Sequence, residues 1–252
     1  MKEIKKYKLF QGDCLEIMKE IPNESVDLIL CDLPYGTTKC DWDVCLDLEK
    51  LWQQYERIIK KNGVILLFSQ SPFDKILACS NLKMFRYEII WQKNKSTGFL
   101  NAKKMPLKCH ENILVFYKKL PTYNPQMTSG HSPVHTFTKR VEVANKTQVY
   151  NSTNKTIVGG GSTTRYPKDI VSFPVEKNAF MPTQKPVALL EYLIKTYSNK
   201  GCTVLDNCMG SGSTGEAAIK LERSFIGIEQ NEKNFNYSKI RLERFYESNA
   251  SQ

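Results

Sequence analysis

No apolar run in this 252-residue chain approaches the roughly 18 residues a membrane-spanning helix needs. Met1–Lys8 is charged where a secretory signal would be apolar, so no leader is expected. None of the eight cysteines forms a Cys-x-x-Cys pair. That removes zinc knuckles and ribbons, and several of the thiols stand in apolar runs, where cysteine packs as a small hydrophobe. Of the three histidines, His131 and His135 stand four apart with Pro133 between them. The proline breaks the helix that would aim both at one ion, so no metal is expected. A cytoplasmic protein with reduced thiols fits these absences.

Acidic residues are scarce in one stretch. Between Lys93 and Lys168 there are 13 Lys and Arg against two acids, Glu111 and Glu142, for a net of +11. The whole chain carries +10, so this stretch holds the entire excess. Net charge speaks to partners rather than to fold, and a localised cationic surface is what a polyanion rewards.

Hydrophobic residues make up 41% of the chain, enough for a sizeable core. Six short apolar runs read as buried strands: Val26–Leu30, Val64–Phe68, Glu88–Trp91, Ile113–Tyr117, Thr203–Leu205 and Ser224–Ile228. Lys8–Gln11 is a weaker seventh. Runs without polar alternation indicate a sheet covered on both faces. Helical patterns lie between them. Leu46–Lys60 is predicted to stop at Asn62-Gly63, another helix to start from Ser71 as N-cap with Pro72 in its first turn, and Pro186–Ser198, Ser213–Leu221 and Asn231–Phe245 to follow. The alternation predicts an α/β fold with a mainly parallel sheet. Residues 121–180 break it. They are rich in Thr, Asn, Ser and Gly, and are expected to form an inserted module, irregular or β-rich.

Two turns carry chemistry. Thr203–Gly215 reads as a strand, a glycine turn and a helix start, in which Gly210 and Gly212 allow backbone to approach a ligand. Asp206 ends that strand, and Glu229 ends the next, suiting the hydroxyls of a ribose. Read alone, Glu229 is equally a helix cap. The turn lacks Gly-Lys-Ser/Thr, which disfavours a nucleotide-triphosphate loop. The second turn, Asp32-Leu33-Pro34-Tyr35, leaves a buried strand at the end where sites form in open α/β sheets. Its carboxylate and carbonyls offer acceptors to an amine, and its aromatic ring offers a stacking face for an extruded base. Read alone, it is equally an ordinary strand-to-loop turn.

Together the two turns resemble those of the DNA amino-methyltransferases, which modify the exocyclic nitrogen of adenine or cytosine. Asp32-Leu-Pro-Tyr35 is similar to their Asp/Ser/Asn-Pro-Pro-Tyr tetrapeptide, with Leu33 in place of the first proline. Asp206-Asn-Cys-Met-Gly-Ser-Gly212 is similar to their cofactor loop, with Cys208 in place of a phenylalanine. Met181-Pro-Thr-Gln-Lys-Pro186 resembles the segment that precedes that loop, with Met181 for a histidine. Phe10-Gln-Gly-Asp13, Trp91-Gln-Lys93 and His110-Glu111-Asn-Ile-Leu resemble further family segments. The tetrapeptide precedes the cofactor loop, as in the permuted beta class.

The resemblance implies a Rossmann-like seven-stranded methyltransferase sheet, circularly permuted, from residues 1–120 and 181–252, with 121–180 as the inserted target-recognition region. It implies S-adenosylmethionine as cofactor, double-stranded DNA as substrate and adenine N6 as the methylated position. Asp32, Pro34 and Tyr35 would be catalytic. Asp13 would meet the cofactor's adenine, Glu229 its ribose, and Thr183 and Lys185 its carboxylate, with Asp206, Met209, Gly210 and Gly212 shaping the methionine pocket. Within the insert, Lys139, Arg140, Lys155, Arg165 and Lys168 are candidate DNA contacts, with Tyr150 and Tyr166 available to stack. A cognate restriction endonuclease and a second copy of the chain are candidate partners. Cytosine-N4 methylation, methylation of an RNA or protein amine, and a non-catalytic DNA-binding subunit on the same scaffold are the rival readings.

Overall fold

The computed structural model describes residues 7–35, 46–140, 156–177, 179–181 and 183–250, with backbone alone for 137–140, 156–158 and 249–250. Along the chain the first half forms β1 (Tyr7–Gln11), α1 (Cys14–Ile17), β2 (Val26–Asp32), α2 (Leu48–Ile58), β3 (Ile59–Ser69), α3 (Phe73–Ser80), β4 (Phe85–Thr97) and β5 (Lys108–Phe116). The short strands β6 (Phe137–Arg140), β7 (Thr156–Gly159) and β8 (Ile170–Ser172) follow. The chain closes with α4 (Val187–Tyr197), β9 (Thr203–Asp206), α5 (Ser213–Lys220), β10 (Ser224–Glu229) and α6 (Glu232–Ala250).

Among the described residues, eight strands form one sheet in the order β1-β10-β9-β2-β3-β5-β4-β8. Five consecutive strands, from β1 to β3, are parallel, and β5 alone runs against its neighbours. The α/β class and Rossmann-like architecture expected from the sequence are found. The strand beyond the expected seven is β8, three residues on the edge beside β4, too short to leave a periodic signal.

The strands read as continuous apolar runs because both faces are covered. Ile29 and Cys31 of β2 pack with Leu51, Tyr55 and Leu77 of α2 and α3, while Leu28 and Leu30 face the cluster holding Leu189 and Leu193 of α4, Ala217 of α5 and Leu242 of α6. Helix α2 starts where the Asp47 carboxylate accepts from the Glu49 and Lys50 amides. It ends at Ile58, four residues before the expected Asn62-Gly63 stop. The amides of Glu24 and Ser25 take up the Arg57 and Ile58 carbonyls, and Ile59 already pairs with Val26. The Asn-Gly pair lies instead in a bulge of β3, where a Cβ on Gly63 would come within 2.9 Å of the Asp27 carbonyl oxygen. Helix α3 also departs from expectation. It begins at Phe73, with Pro72 rather than Ser71 at the cap position and no side-chain cap bond.

The chain divides into two compact units, Met1–Asn124 with Asp169–Gln252, and Pro125–Lys168. The smaller is a β-ribbon. Thr128 and Arg165 exchange both backbone hydrogen bonds, the His131 amide donates to Thr163, and β6 pairs antiparallel with β7. A Cβ on Gly160 would lie 2.1 Å from the Thr136 Cα, so only glycine lets the two arms meet there. No helix among the described residues is long and apolar enough to cross a membrane.

Candidate active site

Four neighbouring parallel strands end along one edge of the larger unit. Gln11 of β1 is in register with Glu229 of β10, Gly227 of β10 with Asp206 of β9, and Leu205 of β9 with Ile29 of β2. The residues that follow each strand therefore crowd together. Gly12-Asp13, Glu229, Asp206–Ser211 and Asp32–Tyr35 line a single cavity of about 810 Å³, within the range of small-molecule pockets. Met181, Thr183 and Lys185, from the segment leading into α4, line it as well. The sheet order thus joins the two turns that the sequence singled out.

On the β1–β10–β9 side, Gly210 and Gly212 hold left-handed backbone, φ +49° and +76°. That conformation suits glycine, and at Gly212 a Cβ would also press on Ser238 at 3.0 Å. The Glu229 carboxylate accepts the Gly210 amide at 2.9 Å and the Asn231 amide at 2.8 Å, tying the glycine turn to the entry of α6 while lining the cavity. Burial raises its pKa above the usual glutamate value. Asp206 is buried, and burial pushes its carboxyl up to about 6 against the opposing Thr214 hydroxyl and Cys208 amide. Asp13 accepts from the Leu15 amide as cap of α1. Met209 lies beneath the turn, where a Cβ on Gly227 would meet its sulfur at 2.4 Å. A glycine cradle with a sulfur-lined floor and carboxylates on three strand ends fits a ligand with a hydroxylated sugar and a cationic methionine arm.

On the β2 side the site is an ion network. Asp32 accepts from the Tyr35 hydroxyl through one carboxylate oxygen and from the Lys185 ammonium through the other. Lys185 also lies 3.4 Å from Glu111 of β5, and Glu111 accepts from Lys93 of β4 at 2.5 Å. Two carboxylates and two ammonium groups alternate, so the buried cluster is neutral overall. The side chains of Lys185 and Glu111 keep 9% and 11% of their surface, whereas Asp32 keeps 27%, open to the cavity. Burial raises the Asp32 pKa, and Lys185 reverses only part of that rise. Burial likewise disfavours ionised Glu111, but Lys185 and Lys93 prevail and hold it below the ordinary glutamate value. Burial works against charge on Lys185 too, and its two carboxylate neighbours outweigh it and raise its pKa. Each Asp32 oxygen retains a lone pair for a further donor. The Tyr35 ring sits against Phe73, centroids 5.3 Å apart.

Lys185, which the resemblance assigned to the cofactor's carboxylate, has its ammonium on Asp32 and Glu111. Lys93 and Glu111 received no site role from the sequence. The available signal was an acid just before the apolar run of β5, in the His110-Glu111-Asn-Ile-Leu segment that resembles the family's. The insert candidates lie in the smaller unit or outside the description. Lys139 and Arg140 are on β6, Lys168 is exposed, and Tyr166 is exposed. The Arg165 guanidinium donates to the carbonyls of Ser132, Ser162 and Thr164, holding its own ribbon together. Lys155 and Tyr150 lie outside the described residues. No His, Cys, Asp or Glu group among the described residues converges as a metal site.

Known proteins share this chain's sequence pattern and fold. The family described as DNA methylase matches residues 26–239. DNA adenine methyltransferase YhdJ of Escherichia coli K12 is 32% identical over 251 residues, spanning 94% of this chain and 81% of that protein. Type II methyltransferase M1.MboII of Moraxella bovis is 27% identical, spanning 93% and 96%. Among solved structures, the M1.HpyAVI–SAM complex superposes with a TM-score of 0.64 at 24% identity, over 94% of this chain and 100% of the other. The cytosine-N4-specific PvuII DNA methyltransferase superposes with 0.63 at 14% identity, over 96% and 91%. At those identities the two structures speak to the fold alone.

Proposed function

Since the chain belongs to the DNA methylase family and is a DNA methyltransferase, we propose that it methylates adenine at N6 within a specific duplex sequence. The observation that carries this reading is the shared cavity of Asp32–Tyr35 and the Asp206–Gly212 turn, set side by side by the β2–β9 pairing.

S-adenosylmethionine, when bound, supplies a methyl group made electrophilic by its sulfonium. The glycine turn, Met209, Asp206, Glu229, Asp13 and Thr183 form its cradle, on the strand ends that suit a nucleoside. The remaining chemistry belongs to the β2 side. An exocyclic amine is a poor nucleophile because its lone pair is delocalised into the ring. Asp32 and a main-chain carbonyl of Leu33 or Pro34 accept its two hydrogens, drawing the nitrogen toward tetrahedral geometry and localising that pair. Tyr35 stacks on the extruded base. An aspartate whose pKa burial has raised is a better base than an exposed one, and Asp32 can take the proton that the amine sheds. Lys185 and Glu111 fix the carboxylate before the base arrives, so that catalysis rests on position and preorganised charge.

Asp32 rather than serine, and the adenine enzyme from Escherichia coli among the relatives, support adenine over cytosine. The ribbon Pro125–Lys168, with flanks from 121 and to 180, is the proposed target-recognition region, and Lys139, Arg140, Lys155 and Lys168 its proposed phosphate or base contacts. The type II name of the Moraxella bovis relative supports a cognate endonuclease as partner, and DNA as substrate supports work in the cytoplasm. Expressing the chain in a methylation-deficient host and sequencing its DNA for modified bases tests the reading. N6-methyladenine in one recurring context is expected. N4-methylcytosine would replace the adenine assignment, and unmodified DNA would leave a binding subunit. Asp32→Ala should abolish methyl transfer while S-adenosylmethionine binding by calorimetry persists. Wild-type turnover in that variant would remove Asp32 from the chemistry.

A further inference from the structure

Strands β4 and β5 run on past the edge where the cavity opens. Trp91 pairs with Glu111 beside the ion network, and pairing continues outward through Gln92–His110 to Thr97–Lys108. Beyond it the chain turns through residues 98–107. This tip is built rather than slack. Gly98 takes left-handed backbone, φ 87°, and the amides of Asn101, Ala102, Lys104 and Met105 each donate to a carbonyl within the turn. Yet the turn directs its apolar side chains into solvent, with Phe99 81% exposed and Leu100 98% exposed. Neither packs against the hydrophobic clusters of the sheet. A turn that spends its backbone hydrogen bonds to present phenylalanine and leucine to water calls for a partner.

Charge selects that partner. Residues 93–108 contain five lysines and no acid. Lys93 is committed to Glu111 and Lys108 reaches the Ser71 carbonyl at 3.3 Å, while Lys95, Lys103 and Lys104 stand exposed on the hairpin. Because β4 is parallel to β2 and β3 within the sheet, its far end projects from the same edge as Asp32. We propose that the tip of the β4–β5 hairpin is a DNA-docking element. Phe99 and Leu100 lie against bases beside the extruded target, and Lys95, Lys103 and Lys104 lie on the flanking phosphates. Apolar side chains inserted at a base step and ammonium groups on the backbone are a known pairing of functions at deformed duplex. The inference rests on DNA being the substrate and adds a contact outside the inserted ribbon.

The test uses the full chain with S-adenosylmethionine and a duplex carrying its methylation site. Phe99→Ala with Leu100→Ala should weaken duplex binding roughly ten-fold. Most of that loss should be recovered on a duplex whose target base is mismatched and already loosened. Lys103→Ala with Lys104→Ala should lower the slope of log affinity against log salt by about 2. Cofactor affinity and thermal stability should stay at wild-type values in both variants. If wild-type protein methylates DNA and both variants match it in affinity and salt slope, the docking role is overturned while the activity stands. If the apolar variant instead turns a dimer into a monomer by sedimentation, with duplex affinity unchanged, the tip joins two copies and the DNA assignment is wrong. A wild-type protein that neither binds nor methylates duplex would sink the underlying activity first.

Discussion

Replacing Asp206 by asparagine should make the protein more stable and less able to bind its cofactor, with a defined pH dependence. Asp206 is 4% exposed at the end of β9, and burial pushes its pKa from 3.8 to about 6. A carboxyl whose folded pKa is raised favours the folded state while protonated. That stability is fully present below the unfolded value and is lost as pH rises through about 6. The difference between the two pKa values corresponds to about 3 kcal/mol at most. Asparagine stays neutral at every pH and keeps an oxygen for the Cys208 amide, which Asp206 now accepts at 3.1 Å. The stability gain of Asp206→Asn over wild type should therefore be near zero at pH 4, grow between pH 4 and 6, and level off above. At a rough 2–4 °C per kcal/mol for a chain of this size, the plateau is an increase in Tm of several degrees. Paired thermal melts from pH 4 to 8, with cofactor affinity by calorimetry at pH 7.5, would measure both effects. A gain that is flat with pH, or a variant less stable at pH 8, would refute the claim that an ionised carboxylate is held there against its preference. Retaining such a residue is intelligible only if its charge serves the ligand.

The ion network makes a second prediction. Lys185→Met leaves Asp32 and Glu111 short of a cation, and breaking a buried pair costs roughly 3–5 kcal/mol. The low end applies, because Lys93 still pairs with Glu111 and Asp32 opens to the cavity. In the proposed role Asp32 is ionised when it accepts from the amine, so the acid limb of kcat/KM should move to higher pH in Lys185→Met and to lower pH in Glu111→Gln, as Glu111 now contributes to the rise. Limbs that stay together in a pH–rate comparison would dissociate the network from catalysis. Gly227→Ala should drive Met209 out of its seat, lowering stability by about 1–3 kcal/mol and raising the cofactor Kd. An unchanged Kd by calorimetry would place Met209 outside the cradle. Glu229→Gln keeps one acceptor oxygen where the Gly210 and Asn231 amides now bond to different carboxylate oxygens, so it should loosen the tie between the glycine turn and α6 and weaken cofactor binding; equal affinity by calorimetry would leave Glu229 as a cap of α6.

Much of the larger unit was legible because its strands are covered on both faces. β2, β9 and β10 announce themselves as apolar runs, each ending at a proposed site residue: Asp32, Asp206 and Glu229. The ends of elements were less legible. Four residues bulge between Ile59 and Val64 opposite β2, so Asn62-Gly63, a helix stop by composition, serves a strand. Glu111 stood in a family-like segment but received no role, for a different reason. It stands between His110 and Asn112, ahead of the apolar run of β5, and what it does is visible only with its cations in place, Lys93 on the neighbouring strand and Lys185 far along the chain. Arg165 looked like a free cation in a basic stretch, and it is engaged with backbone carbonyls that no periodicity reveals.

The chain order of the site residues is scrambled relative to their order in space. Across the sheet they run Asp13, Glu229, Asp206, Asp32, the first just after β1 and the others at the ends of β10, β9 and β2, although in sequence Asp32 follows Asp13 and the other two come at the far end. What the chemistry requires is therefore the order of strands, not the order of the chain, and a rearrangement of connections that preserves the sheet preserves the site. The junction that matters most is the one between the cradle and the ion network, where β9 meets β2 through Leu28–Val204 and Ile29–Leu205. Asp27, one residue before Leu28, accepts the Thr203 amide at 2.9 Å and the Lys60 ammonium at 2.7 Å, fastening the start of β9 to β2 and to the bulge of β3. A one-residue slip there would flip every side chain of β9 to the opposite face, carrying the Asp206 carboxylate away from the cavity it shares with Asp32.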